Sequence, residues 1–145
     1  MTYARDLAKL TPLPIDPAKQ YAWRPDIGWQ EIPPAPEPAP QYASVVTKSA
    51  TAQTSLLADA GQYLRFTNAS ASTYTVAPQS SVAWPDNAEI TLRRSANGNL
   101  TIAPGSGVTL NSPSGGTRVL TNNMTVTLKR VATNVWDVIG QTVPA

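Results

Sequence analysis

Apolar and polar residues alternate along most of the chain from residue 43 to its end. The clearest passage runs from Leu100 to Leu110, where apolar residues alternate with threonine on both sides of a Pro-Gly-Ser-Gly sequence. A period of two places successive side chains on opposite faces of a β-strand, so that one face is buried and the other is solvated. A short Gly-rich stretch between two such runs is typical of a tight turn. The passage therefore predicts a β-hairpin with one face in a core.

The same alternation predicts a series of short strands after residue 42. Asn97-Gly98 is the strongest candidate for a type I′ hairpin turn between two of them. Many short strands separated by turn residues are typical of sandwiches and barrels. We therefore predict an all-β fold, an antiparallel β-sandwich or jelly-roll-like domain over residues 43–145, with Trp84 and Trp136 in its core. A short β-helix or an intertwined fibre is the alternative. The predicted strands are residues 43–49, 54–57, 62–68, 73–77, 80–84, 88–95, 99–103, 107–111, 117–121, 124–131 and 134–140.

Residues 1–42 have a different composition. Nine of the chain's 14 prolines lie before residue 41. Proline removes a backbone donor and is excluded from helix interiors and central strands, so this segment cannot form an ordinary packed domain. We predict an extended Pro-rich arm that ends in a polyproline II spacer at residues 33–40. A role for these prolines as a recognition sequence is the alternative.

The arm nevertheless contains two of the four tryptophans. A simple linker is polar and poor in aromatic residues, whereas aromatic side chains are typical anchors of protein interfaces. Two readings remain: the arm covers its own β-domain, or it docks on a partner. We predict docking, through the apolar and aromatic residues Tyr21, Trp23, Ile27, Trp29 and Ile32.

Composition narrows the function. The chain has no His and no Cys, which removes the commonest general base, the commonest metal ligand, the thiol nucleophile and all disulfides. The net charge is only +2, which is no argument for nucleic-acid binding. No apolar run approaches the roughly 20 residues of a membrane span. We therefore predict a protein that is not an enzyme, with no cofactor, no metal, and no nucleic-acid or membrane partner.

Two other functional classes make specific demands on the sequence. A hydrolase needs two carboxylates that converge in a cleft. The acids after residue 41 are dispersed instead: Asp59, Asp86, Glu89 and Asp137. A carbohydrate-binding module needs an exposed aromatic ring, for which Tyr63 or Tyr74 would have to lie on a flat outer face. Basic residues are adjacent at Arg93-Arg94, and neighbours on a strand point to opposite faces, so no basic patch is predicted.

Four segments carry a resemblance to a known class of protein. They are GQYLRFTN at residues 61–68, TVAP at 75–78, TIAPGSGVTLNS at 101–112 and LKRVATNVW at 128–136, closing on Gly140. Together they resemble a β-rich module of tailed-bacteriophage virion proteins, found at the distal ends of tail fibres and spikes and in small head-decorating proteins. The resemblance covers about residues 54–142 and carries no functional residue that can be transferred.

The resemblance implies a non-enzymatic structural protein, usually a homotrimer. Combined with the arm, it leads us to expect a capsid decoration or head-fibre protein. The arm would dock on a capsid or tail protein, and the β-domain would project outward. The alternative is a short tail fibre or tail-tip protein that binds a host surface glycan. Either protein would be assembled in the host cytoplasm and end in the virion.

Overall fold

The structure is a computed structural model that describes residues 18–26, 28–32, 42–114 and 116–145. These residues fall into two units, Met1–Gln41 and Tyr42–Ala145. Strands dominate the described residues of both units, and the helical content of these residues is one 3₁₀ turn at Leu57–Asp59. The prediction of an all-β fold is confirmed.

The described part of the first unit is an antiparallel hairpin of β1 (Gln20–Arg24) and β2 (Gly28–Ile32). Pro25 lies in the turn, where its missing N–H and fixed φ are tolerated, so the prolines do not prevent pairing on either side. The described residues of the arm thus form two paired strands, where the sequence predicted an extended chain. Ile27 and the predicted spacer at 33–40 lie outside the described residues.

The second unit contains two sheets. The larger has the order β3-β5-β7-β11-β12-β9 and the smaller the order β10-β8-β6-β4. The strands are β3 (Val45–Lys48), β4 (Ala52–Thr54), β5 (Tyr63–Phe66), β6 (Ser72–Val76), β7 (Glu89–Arg94), β8 (Leu100–Pro104), β9 (Thr109–Asn111), β10 (Val119–Leu120), β11 (Thr125–Ala132) and β12 (Val135–Gly140).

Strands β3 to β8 form three stacked coils. Each coil places one strand in the six-stranded sheet and the next strand in the four-stranded sheet. The first coil is β3–β4, the second β5–β6 and the third β7–β8. Equivalent strands of successive coils pair in parallel. This is the arrangement of a short β-helix, the alternative to the sandwich. The antiparallel pairing predicted for the whole domain is wrong here, because alternation defines the faces of a strand but not the direction of its neighbour.

Antiparallel pairs occur where the later strands join the stack. β11 pairs with β7 and with β12, and β10 pairs with β8, whereas β9 is parallel to β12. The predicted hairpin from Leu100 to Leu110 is wrong, since β8 lies in the four-stranded sheet and β9 in the six-stranded sheet. Asn97-Gly98 likewise connects strands of different sheets. Each of these two turns crosses from one sheet to the other, so the strands before and after it cover the same core from opposite sides.

The two sheets pack face to face over one core. The rings of Phe66 and Tyr74 meet edge to face across it, with centroids 5.7 Å apart. Trp84 and Trp136 form a second edge-to-face pair at 5.2 Å, and both are buried as predicted. The remaining fully buried apolar side chains come from both sheets: Leu64, Val76, Ile90, Leu92, Leu100, Ile102, Leu120, Val126 and Leu128.

Candidate docking surface

The hairpin of the first unit brings three of the five predicted docking residues to one face. Trp23 lies directly opposite Trp29, and Tyr21 lies opposite Glu31. Cross-strand partners share a face, and so do residues two apart on one strand, so Tyr21, Trp23 and Trp29 lie together. We call this the aromatic face of the hairpin. Ile32 pairs with Gln20 and therefore belongs to the opposite face.

The two tryptophan side chains of the aromatic face are exposed to solvent, although they are large and apolar. Trp23 is 56% and Trp29 60% exposed, while Tyr21 is half-buried. Ile32 on the other face is 43% exposed. At one end of the hairpin the Lys19 Nζ lies 3.0 Å from a Glu31 carboxylate oxygen, and this hydrogen bond raises the pKa of Lys19. The result is an apolar centre beside charged groups, which is the usual layout of a binding hot spot with a polar rim.

A polar network lies inside the second unit. One carboxylate oxygen of Asp59 accepts a hydrogen bond from Lys48 Nζ at 2.9 Å, and the other accepts from the Tyr74 hydroxyl and the Leu56 N–H, each at 3.0 Å. Burial, and next the charge of Asp59, raise the pKa of Tyr74, so its hydroxyl stays protonated and donates. The network is largely shielded from solvent and joins the first coil to the second, which is a structural role.

A buried guanidinium fixes a loop at the other side of the core. Arg94 is fully buried on β7. Its Nη2 donates to the carbonyl oxygens of Asn68 at 2.6 Å and Ser70 at 2.7 Å, and its Nε donates to the carbonyl of Gly98. Carbonyl oxygens thus enclose the cation, and this arrangement leaves it no open side for a ligand.

The acidic residues considered for a hydrolase have separate partners. Asp59 belongs to the buried network, and Asp86 binds the Arg130 guanidinium. Glu89 binds Lys129 at 2.7 Å, and Asp137 accepts a hydrogen bond from the Asn111 amide at 2.8 Å. Among the described residues no three His, Cys, Asp or Glu side chains are grouped so as to hold a metal ion. These contacts favour structural roles for all four acids.

The outer face of the six-stranded sheet contains a feature that the sequence did not indicate. Arg93 and Arg94 do point to opposite faces, as predicted, but Arg65 on β5 lies in register with Arg93 on β7. Tyr63 is half-buried on the same face, two residues from Arg65. Tyr74 is fully buried, so it does not provide the exposed ring that a carbohydrate-binding module would need. Only knowledge of the strand register could have paired two arginines 28 positions apart.

The structure also contains a shallow open pocket of about 460 Å³ between β8 and β10. Hydroxyl groups of Thr101, Ser112 and Thr117 line it, together with Arg118. It contains no carboxylate and no aromatic ring, so it offers less for recognition than the hairpin.

Neither a protein-family model nor a curated protein matches the chain. No helix of the described residues is long and apolar enough to cross a membrane. The surfaces of the two units therefore provide the information about function.

Proposed function

We propose that this chain is a non-enzymatic structural protein of a tailed-bacteriophage particle, either a capsid decoration protein or a head-fibre protein. Residues 1–42 attach it to the particle, and residues 43–145 project outward. The observation that carries the attachment step is the aromatic face, where Trp23 and Trp29 lie opposite each other with more than half of each side chain exposed. The virion setting is supported by the resemblance of residues 54–142 to phage modules.

The energetics favour the aromatic face as the anchor. Covering the exposed parts of two indoles removes on the order of 250 Å² of apolar surface from water, equivalent to about 6 kcal/mol. Association costs at least about 4 kcal/mol in lost translation and rotation. The tryptophans can therefore offset that cost, and neighbouring polar groups such as Lys19 and Glu31 provide orientation.

The test uses particles assembled without this protein. Purified full-length chain is mixed with them and co-sedimentation is measured. The variant Trp23→Val/Trp29→Val removes both indoles but retains β-branched residues, which are good strand formers. The matched control, Gln20→Val/Gln30→Val, introduces two valines on the opposite face of the hairpin and retains both indoles. We expect the tryptophan variant to bind at least about tenfold more weakly, a loss of 1.4 kcal/mol or more, and the control to bind as the wild type does.

Equal binding by the tryptophan variant and the wild type would refute attachment through the aromatic face. Separate assays on tail-less heads and on isolated tails then assign the location. Binding to heads supports decoration, and binding to tails alone supports the tail-fibre alternative.

One observation favours that alternative, a protein that binds a host glycan. Arg65 and Arg93 lie side by side next to Tyr63 on the outer sheet face, and their described hydrogen bonds go to neutral groups. Two cations beside an aromatic ring suit an acidic sugar. A glycan array with acidic and neutral glycans tests this function: selective binding of acidic glycans that is lost in Arg93→Gln supports it, and no selective binding excludes it.

A further inference from the structure

At one end of the β-stack, no other strand of the described residues pairs with the edge of either sheet. β3 is the edge strand of the six-stranded sheet and β4 that of the four-stranded sheet, so the first coil forms both edges. We call this the open end. An edge strand presents unpaired N–H and C=O groups, which are able to pair with another strand.

The hydrogen bonds show which backbone groups face outward on β3. Tyr63 N–H donates to the Ser44 carbonyl, and Thr67 N–H donates to the Lys48 carbonyl. In a parallel ladder alternate residues pair with the neighbour, so Ser44, Val46 and Lys48 face β5. The N–H and C=O groups of Val45 and Thr47 therefore point away from the sheet.

The same pattern holds on β4. Thr73 N–H donates to the Thr51 carbonyl, and Ser55 N–H donates to the Thr75 carbonyl. Thr51, Gln53 and Ser55 therefore face β6, and the backbone groups of Ala52 and Thr54 point outward. Both edges of the open end thus present donors and acceptors.

The open end also concentrates exposed apolar side chains. Six large apolar residues are exposed among the described residues after 41, and four of them belong to the first coil and its flanks: Tyr42, Val45, Leu56 and Leu57, each more than half exposed. β3 and β4 contain no proline, which is one of the usual protections of an edge. Their charged residue, Lys48, is turned inward to Asp59 with 13% of its side chain exposed.

The opposite end of the four-stranded sheet is covered by the chain itself. Thr117 N–H donates to the Val143 carbonyl at 2.8 Å, and Val143 N–H donates to the Val119 carbonyl at 2.9 Å. The last residues thus occupy the outer side of β10. Within the described residues, the four-stranded sheet is therefore covered beyond β10 but not beyond β4.

An occupant that satisfies both edges must present two strands about 10 Å apart, the spacing of packed sheets. A single extended peptide presents only one strand. A second copy presents both, because a two-fold axis perpendicular to the sheets places β3 against β3 and β4 against β4 in antiparallel pairs. We propose that the open end is an interface at which two copies of this chain join edge to edge, forming two continuous sheets. This interaction is separate from particle attachment and differs in symmetry from the homotrimer that the resemblance implies.

The first test measures the mass of the full chain by light scattering at about 1 to 100 µM, a range that covers micromolar affinity. The variant Thr47→Pro/Thr54→Pro removes two outward N–H groups that the fold does not use. The control, Thr47→Val/Thr54→Val, changes the same side chains and keeps those groups. We expect the wild type and the control to reach twice the monomer mass of 15.4 kDa, and the proline variant to associate at least about tenfold more weakly.

The second test does not depend on how the proline variant folds. Because the chain has no cysteine, a single substitution can form a disulfide only between copies. Cysteine is introduced in turn at Val45, Val46 and Thr47, with Asp86→Cys as an exposed control outside the open end. Rapid cross-linking at one or more β3 positions, with slow cross-linking of Asp86→Cys, supports the interface.

Three results would overturn the proposal. The first is a monomer throughout the concentration range, which is also the result expected if residues 1–41 cover the edge of the same chain. The second is a trimer or an open-ended series of masses. The third is cross-linking of Asp86→Cys as fast as at the β3 positions. None of these results bears on particle attachment through Trp23 and Trp29, which is measured in a different assay.

Discussion

The Lys48 ammonium lies 2.9 Å from the Asp59 carboxylate, and both side chains are almost completely buried. Lys48 belongs to β3 of the first coil, and Asp59 ends the 3₁₀ turn that leads into β5 of the second coil. Asp59 also accepts the hydroxyl of Tyr74 on β6. The pair therefore connects the outermost coil to the rest of the stack. Among the described residues no further strand lies beyond β3 to support this coil.

Removal of the Asp59 charge should destabilise the second unit. Asp59→Asn leaves the Lys48 ammonium buried without a counter-charge, and breaking a buried pair in this way typically costs about 3–5 kcal/mol. The free energy of unfolding, measured by urea denaturation, should fall by that amount. The matched control is Glu89→Gln, which breaks the exposed pair with Lys129 and should cost about 0–1 kcal/mol. Similar losses in the two variants would contradict a special role for the buried pair.

Tyr74 should make the protein sensitive to alkaline pH. Burial raises the pKa of Tyr74 above its ordinary value, so the folded state keeps the phenol proton that the unfolded state loses above about pH 10. The contribution of this protonation difference to the free energy of unfolding is therefore complete below pH 10. It declines as the pH rises, by up to about 1.4 kcal/mol per pH unit.

The variant Tyr74→Phe separates this effect from every other effect of alkaline pH on the protein. It should be less stable than the wild type at pH 7, because Asp59 loses a donor, but its stability should fall less steeply between pH 10 and 11. Urea denaturation at each pH gives both values. Parallel declines in the two proteins would show that Tyr74 does not titrate differently in the folded and unfolded states.

The sequence predicted which side of a strand is buried, but it did not predict which strands are neighbours in a sheet. In β5 the alternating sequence matches the structure, where Leu64 and Phe66 are buried and Arg65 between them is exposed. Yet the passage from Leu100 to Leu110 connects two sheets and is not a hairpin. The alternation could not reveal this, because two strands that cover the same core show the same alternation whether they lie in one sheet or in two facing sheets. The partner of each strand depends on contacts between distant residues, which a local pattern does not contain.

The composition of the candidate docking surface could be predicted from the sequence, but its geometry could not. The aromatic residues at 23 and 29 indicated an anchor, but the prolines around them suggested a single extended chain. Their direct opposition depends on the register of β1 with β2, which places Pro25 in the turn. That register also separates Ile32 from the two tryptophans, although all three residues were grouped by sequence.

Gly98 should be intolerant of any side chain for steric reasons. A Cβ at this position would collide with the backbone carbonyls of Ser70 and Ala69. Those carbonyls cannot easily retreat, since Arg94 holds Ser70 and Asn68 by hydrogen bonds. Gly98→Ala should lower the free energy of unfolding by about 1–3 kcal/mol, as expected for overpacking.

The comparison with Gly107 separates crowding from backbone strain. Gly107 has φ +72°, and no other atom lies near the position of a Cβ. A substitution there therefore loses stability because of the left-handed backbone conformation, which asparagine tolerates better than alanine. At Gly107, Asn should therefore be less destabilising than Ala, whereas at Gly98 the larger Asn should be worse. Thermal unfolding of the four variants tests this reversal, and the same order at both sites would contradict it.

Arg65 and Arg93 should repel each other across β5 and β7. Like charges directly opposite on one sheet face are destabilising, by about 0.2–1 kcal/mol. The Arg65 Nε donates to the Ser95 hydroxyl at 3.1 Å, and Arg93 donates to Asn123 and Thr125, so neutral groups hold both cations in place. Arg65→Gln should therefore raise the free energy of unfolding in urea by a few tenths of a kcal/mol at low salt.

Salt dependence decides whether repulsion is the cause. The gain from Arg65→Gln should shrink in 1 M salt, where charges are screened beyond about 3 Å. Lys129→Gln is the control of opposite sign, because Lys129 lies between Glu89 and Asp137 across the same sheet and should lose stability at low salt. If Arg65→Gln instead lowers stability at every salt concentration, the hydrogen bond to Ser95 outweighs the repulsion. Arg65 would then be a structural residue of the sheet and a weaker candidate for binding an anionic ligand.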